Sequence, residues 1–337
     1  MRALRAAGHD ARLASAEGGA LERGCAEQGV PFVGAFRLGR GAGRWLHLPA
    51  DVRRLRAVMR GLDTDVIHVH RSDEQLLARL AVGRREKPLV VRTWHRDPAA
   101  VPEILRRLCR MASCAGCVCV ARAHAESLNA AGARHAAYLP PGVDTERFQP
   151  TPAAENTPVR LGQIGRWKAG QDRGQLAFLE VLRRLDPKLN WHAVLLGRGE
   201  GRAELERLLA AHPARSRLEL EETGKDFPAQ VAALDLGFAF ATGSDGTSRA
   251  AVEMLACGVP LLLADMPGLR ELGEGGACAR VLTPGGYEAW AREAGALIAD
   301  PVRLAEARKA ARRRAEAVHA LPVRGAALAE FYGRLRR

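Results

Sequence analysis

The segment Ala241–Leu272 (ATGSDGTSRAAVEMLACGVPLLLADMPGLREL) holds the residues best suited to chemistry in this 337-residue chain. Asp245 and Glu253 stand eight positions apart, and Gly246, Thr247 and Ser248 follow the first of them. Either hydroxyl residue can cap a helix starting near Thr247 or Ser248, which leaves the first backbone N–H groups of that helix without intrahelical partners. Together with the positive end of the helix dipole, those groups suit an anion such as a diphosphate. A carboxylate at the loop, and another about a turn and a half along the helix, would accept hydrogen bonds from sugar hydroxyls. The spacing alone is a weak signal. Its setting is stronger: an apolar strand ends at Ala241, and Gly258 and Pro260 stop the helix before the next apolar run.

A second segment, Gly162–Leu179 (GQIGRWKAGQDRGQLAFL), places Arg166, Lys168 and Arg173 within eight residues after an apolar run. Cations at the carboxyl end of a strand suit a phosphate-rich ligand, which arginine can grip with two parallel hydrogen bonds. They would also stabilise charge growing on a departing diphosphate. A basic surface loop is the plainer reading of the same residues. His68 and His70 flank one strand end and His95 closes another; here too a structurally satisfied histidine is the plainer alternative. Cys109, Cys114, Cys117 and Cys119 fall within eleven residues. A zinc site wants separated pairs or histidines at a fixed offset, and Cys117 and Cys119 alternate within an apolar run, so core cysteines are expected and no metal.

Elements that could position these groups alternate along the chain. Strands are expected at Asp10–Ser15, Val30–Phe36, Asp65–His70, Pro88–His95, Gly116–Ala121, Val159–Gly165, Trp191–Gly197, Leu234–Ala241, Pro260–Asp265 and Ala279–Leu282. Between several of them the apolar period becomes helical, as in Phe178, Leu182 and Leu185. Strand–helix alternation means an α/β protein with parallel sheets covered by helices. The Pro-rich polar stretch Gln149–Pro158 marks a boundary between domains 1–150 and 151–337. The chain is 47% hydrophobic, has no apolar run long enough to span a membrane, and opens without a secretory signal pattern. Seven cysteines in such a length point to a reducing, cytoplasmic setting.

Net charge is +13, of which residues 1–150 carry +9 (24 basic, 15 acidic). Arg53, Arg54, Arg56 and Arg60 share one expected helix, and Arg106, Arg107 and Arg110 another. These are either solvated faces or a surface for anionic lipid or a lipid-linked acceptor. No nucleic-acid motif accompanies them.

Taken in order, these segments resemble the retaining GT-B glycosyltransferases of family 4 (glycosyl transferases group 1). Arg5–Ala14 (RAAGHDARLA) is similar to the end of that family's first helix and its second strand. Asp65–His70 (DVIHVH) and Val90–His95 (VVRTWH) resemble two of its histidine-bearing strands. Pro140–Phe148 (PPGVDTERF) is similar to the segment before its interdomain linker. Gly165–Gly174 resembles its diphosphate-binding element, and Asp245–Glu253 falls on its paired-carboxylate motif, with Asp245 in place of the usual Glu. The resemblance implies two Rossmann-like domains facing across a cleft, the first on the acceptor side and the second binding a nucleotide-sugar donor. It also implies a last helix packing back on the first domain. The family's opening strand and Gly-rich loop have no counterpart, so the first strand of the N-terminal domain is expected to be missing.

Roles follow from the resemblance one residue at a time. Asp245 would contact hydroxyls of the donor sugar. Gly246, Thr247 and Ser248 would hold the distal phosphate, and Glu253 the ribose. Arg166 and Arg173, with Lys168 competing, would neutralise the leaving diphosphate. His95 would touch the donor sugar. Such enzymes generally need no catalytic metal and no cofactor beyond the donor. The implied activity is sugar transfer with retention to a cell-envelope glycan or lipopolysaccharide-core type acceptor, at the inner face of the membrane. A non-catalytic GT-B binding or partner subunit is the alternative.

Overall fold

The computed structural model describes residues 1–16, 20–37, 46–85, 87–95, 114–152, 158–224, 226–240 and 245–336. The chain forms two compact units, Met1–Leu139 with Pro322–Arg337, and Pro140–Leu321.

In the first unit β1 (Leu13–Ala16) pairs with β2 (Phe32–Phe36). A separate sheet runs β3 (Val66–Val69), β4 (Leu89–Trp94), β5 (Gly116–Cys119), β6 (Ala136–Tyr138), all parallel. One apolar cluster joins Leu55 and Met59 of helix Leu48–Leu62 to Leu77, Ala81 and Val82 of helix Ser72–Val82 and to Val69 and Val90. A second cluster joins Val91, Val118 and Leu139 to Phe331 of the last helix, Leu321–Leu335. Burial of Phe331 ties that helix to the first unit.

Helix Leu48–Leu62 presents Arg53, Arg54, Arg56 and Arg60 to solvent, opposite Leu55 and Met59. The Arg56 guanidinium nevertheless donates to the carbonyls of Leu80 and Ala81. Arg106, Arg107, Arg110 and Cys109 lie outside the described residues. Cys119 is fully buried, and no disulfide joins two of the six described cysteines.

The second unit is a six-stranded parallel sheet in the order β12–β11–β10–β7–β8–β9. Its strands are β7 (Val159–Ile164), β8 (Trp191–Gly197), β9 (Leu218–Glu222), β10 (Leu236–Ala239), β11 (Leu261–Ala264) and β12 (Ala279–Leu282). In this doubly wound order the chain moves outward from β7 to β9, then restarts at β10 on the other side of β7. Strands β10 and β11 are apolar throughout because both of their faces are buried, and Leu195, Leu196, Leu236 and Leu262 are fully buried. Phe178, Phe238, Phe240 and Trp290 pack ring to ring, with Phe240 and Trp290 stacked at 4.3 Å.

Three sequence expectations need correction. Residues 140–150 belong with the second unit, not the first. Val143 bridges to Ala320, its N–H donating to the His319 carbonyl at 2.7 Å, and Phe148 packs edge-on against Phe227. Two strands were not expected: β6, only three residues long, and the charged strand β9. Finally, the helix expected from Thr247 or Ser248 begins at Asp245. An acidic residue suits the first turn because it faces the positive end of the dipole.

Candidate functional site

Strands β7 and β10 are neighbours, with Leu161 beside Leu236 and Gln163 beside Phe238. They are also the two strands between which the winding reverses. The carboxyl ends of such a pair diverge to leave a crevice where ligands bind in open α/β sheets. Both segments singled out by residue type emerge there. The basic segment follows β7, and helix Asp245–Ala256 follows β10. The connecting residues 241–244 lie outside the described residues.

The basic loop is held rigidly although its cations face outward. Trp167 is fully buried between exposed Arg166 and Lys168. Its N–H donates to the Arg198 carbonyl and its carbonyl accepts from Gly201, both at 3.1 Å. The loop therefore lies directly on the backbone that follows β8. A Cβ on Gly197 would fall 2.0 Å from the Gly165 oxygen, and one on Gly199 (φ +145°) 2.0 Å from the Trp167 oxygen. Two buried amides fasten the rest. Gln175 accepts the Arg173 N–H at 2.7 Å and donates to the Arg166 carbonyl at 3.2 Å. Gln163 donates to the Arg173 carbonyl at 3.1 Å. Asp172 receives the N–H groups of Gly174 and Leu176, capping helix Gln175–Leu182. No carboxylate pairs with Arg166 or Lys168 among the described residues, so both charges remain available to a ligand. Arg173 is half-buried, and one of its N–H groups reaches the Gln171 side chain.

Helix Asp245–Ala256 buries Ala251, Val252, Leu255 and Ala256 against the sheet. With the helix starting at Asp245, Glu253 lies about 12 Å along the axis and about 80° around it, a little over two turns rather than one and a half. The Glu253 carboxyl receives no hydrogen bond from a described residue. Burial pushes its pKa from 4.5 up to about 7, against the opposing attraction of Arg249 and Arg147. A desolvated carboxylate is unfavourable by itself, and it gains on meeting hydroxyl donors. Beyond β11, the buried Glu271 accepts the Gly268 N–H at 2.8 Å, where Gly268 turns the chain with φ +88°.

Residues 1–147 match the family described as Glycosyltransferase Family 4, and residues 158–300 match Glycosyl transferases group 1. The chain belongs to the family 4, group 1 glycosyltransferases. This glycosyltransferase uses a nucleotide-sugar donor and has the GT-B fold of two Rossmann-like domains. A glycosyltransferase from Rickettsia africae ESF-5 is similar over 100% of this chain and 94% of its own, at 12% identity and TM-score 0.80. Anabaena Alr3699/HepE, solved in complex with UDP, is similar over 99% and 95%, at 18% identity and TM-score 0.80. The lipopolysaccharide outer core galactosyltransferase WaaB is similar over 92% and 85%, at 13% identity and TM-score 0.69. No curated protein matches the sequence.

In the second unit of this glycosyltransferase, Arg166, Lys168 and Arg173 thus share one sheet edge with the first turn that holds Asp245, Gly246, Thr247 and Ser248. Glu253 lies farther along the same helix. His95 belongs to the first unit. It directly follows β4, with its Nε2 2.9 Å from His70 Nδ1. His68 is saturated by the Tyr332 hydroxyl and by Thr93 at 2.6 Å. Burial lowers its pKa to about 3, so it stays neutral. Among the described residues no group of three His, Cys, Asp or Glu is placed to hold a metal.

The residues missed by sequence reasoning are Trp167, Gln163, Gln175, Arg147 and Arg249. A glutamine inside an apolar strand, as in Leu161–Ile164, is the legible signal for the first tie. Nothing in sequence brings Arg147 to Glu253.

Proposed function

We propose that this glycosyltransferase moves a sugar, with retention of configuration, from a nucleotide diphosphate donor to a hydroxyl of a cell-envelope glycan or lipopolysaccharide-core type acceptor. The convergence of the fixed basic loop and the helix start at Asp245 on the β7–β10 crevice carries this reading. The donor's diphosphate lies between them. Arg166 and Lys168, aided by Arg173, neutralise it, and the amides of Gly246, Thr247 and Ser248 hold its distal phosphate. Glu253 accepts hydrogen bonds from the ribose, Asp245 from the sugar, and His95 contacts the sugar near the reacting carbon.

In the reaction, the bond from the sugar's anomeric carbon to the phosphate oxygen breaks. The acceptor oxygen takes its place, and the acceptor proton leaves to the departing diphosphate. Charge grows on that diphosphate as the bond breaks, which is where the fixed cations act. The UDP found in HepE and the lipopolysaccharide substrate named for WaaB support the donor and acceptor classes.

We place the reaction in the cytoplasm, at the inner membrane face. The lack of a disulfide among the six described cysteines fits a reducing compartment, and the exposed arginines of helix Leu48–Leu62 fit an anionic surface, where each basic residue adds about 1 kcal/mol. The first test is thermal stability of the purified chain against UDP, GDP, ADP and CMP. A ligand at 100 times its Kd adds about 2.7 kcal/mol. One nucleotide is expected to stabilise the wild type and to lose that effect in Glu253→Ala. A folded chain that none of the four stabilises would overturn the donor-site assignment.

A further inference from the structure

His70 lies outside every role assigned above, yet it touches the residue placed on the donor sugar. Parallel strands β3 and β4 end side by side, with Val69 opposite Arg92. They deliver three imidazoles to one edge. His68 stacks on His70, with ring centroids 5.1 Å apart at 11°, and the His95 ring lies 5.2 Å from that of His70 and nearly parallel to it, at 19°. His70 Nδ1 and His95 Nε2 are 2.9 Å apart. The His70 backbone is fixed as well, since its N–H donates to Glu74 at 2.9 Å.

Two imidazole nitrogens at this distance form a hydrogen bond only if one carries a proton and the other does not. The tautomers of the two rings are therefore tied together. If His70 donates, His95 carries its own proton on Nδ1; if His95 donates from Nε2, His70 must accept. Both rings cannot hold two protons, because two N–H groups would then oppose each other. His68 lies against a face of His70, and its own ring nitrogens are already engaged by Tyr332 and Thr93. The titratable and charged groups facing this ladder are His68 on β3, Glu74 on helix Ser72–Val82, and Tyr332 and Arg324 on the last helix.

We propose that His70 is a positioning residue for His95: through the Nδ1–Nε2 hydrogen bond it sets the ring orientation and the tautomer in which His95 meets the donor sugar. This rests on the reading that His95 contacts that sugar. The proton on His95 Nδ1 is then decided by His70, so loss of His70 lowers the rate of transfer more than donor binding.

The test uses the full chain with 15N-labelled histidine and two variants. His70→Phe keeps a flat ring against His68 but has no nitrogen. His70→Asn can place an amide near the position of Nδ1. In the wild type, His95 is expected to show the nitrogen shifts of one tautomer and a titration coupled to that of His70. His70→Phe is expected to give averaged tautomers and a simple one-step titration, and His70→Asn to restore the single tautomer. In transfer assays, kcat is expected to fall about 10–100-fold in His70→Phe, with donor KM changed less than about threefold, and to recover partly in His70→Asn. Unchanged His95 shifts and titration in a folded His70→Phe would overturn the proposal. So would full kcat in that variant when His95→Ala is inactive. Full activity of His95→Ala would instead refute the sugar contact, and the spectra of the free protein would still decide whether His70 orders His95.

Discussion

Replacing Glu253 with glutamine is expected to make the free protein more stable while weakening its hold on the donor. In the folded chain the Glu253 carboxyl has its pKa at about 7, against an ordinary 4.5, with burial as the main cause. That gap of about 2.5, at about 1.36 kcal/mol for each factor of ten, corresponds to about 3 kcal/mol. The sign is fixed by linkage. A carboxyl that is harder to ionise when folded destabilises the fold fully above pH 7, and the penalty fades as pH falls from 7 towards 4.5. Glutamine carries no charge at any pH and so removes the penalty. Glu253→Gln is therefore expected to gain up to about 3 kcal/mol at pH 8 and only about 1 kcal/mol at pH 5. In a melting experiment, each kcal/mol corresponds to about 2–4 °C for a unit of this size. Ribose hydroxyls stabilise the ionised form, so donor binding requires it. The ionised fraction of the free carboxyl drops from about 90% at pH 8 to about 10% at pH 6, so wild-type affinity for UDP is expected to fall about tenfold over that range. The nucleotide's own phosphate titrates there too. Calorimetry on Glu253→Gln includes that titration without the carboxyl, and the difference between the two profiles isolates Glu253. Parallel pH profiles for the two proteins, or a stability gap that fails to widen with pH, would refute this reasoning.

Two further outcomes follow from backbone contacts and buried histidines. Gly199→Ala places a methyl 2.0 Å from the Trp167 oxygen. It is expected to lift the basic loop, lowering Tm and raising the Kd for UDP at least tenfold in calorimetry, whereas Gly170→Ala meets nothing within 4 Å. At Gly170 only the positive φ adds a cost, about 1 kcal/mol of stability, with Kd little changed. Acid is expected to weaken the fold between pH 6.5 and 4. The fully buried His319 has its pKa lowered to about 4 by burial, while the unfolded chain takes up that proton near 6.5. Stability present above 6.5 falls by up to about 3 kcal/mol as pH drops to 4. Urea unfolding across that range measures it, and a flat profile would show that His319 is not kept neutral.

How much was legible follows from what each element needed. The central strands of the second unit could be read because both faces are buried, and runs such as Val194–Leu196 and Leu261–Leu263 are apolar without interruption. Strand β9, Leu218–Glu222, is an edge strand rich in glutamate, and Arg160 of β7 reaches across β8 to Glu221 at 2.7 Å. Its leucine–glutamate alternation is a half-buried strand pattern, outweighed by the charge. Strand β6, Ala136–Tyr138, offers three residues and no period at all. The cations and carboxylates proposed for the site could be singled out because their types and order are visible in sequence. The groups that hold them could not. Gln175 is nine residues from the Arg166 carbonyl it binds, and Gln163 is ten from the Arg173 carbonyl. The meeting of the two segments is set by the strand order β12–β11–β10–β7–β8–β9, which places β7 beside β10, and not by local pattern.

The clamp made by Gln175 has a consequence for how this loop can change over time. One side chain grips the chain at Arg166 and again at Arg173, so the residues between them form a closed loop with a fixed base. Lengthening a loop whose ends are already joined costs little: doubling its length adds only about 0.6 kcal/mol of closure entropy. A change of length around Ala169 and Gly170 would break the short Lys168–Gln171 bridge and the Gly170 bond to Glu204, yet leave the Gln175 clamp and the Trp167 anchor in place. The tip of the loop can therefore change its length while Arg166 and Arg173 keep their places at its base.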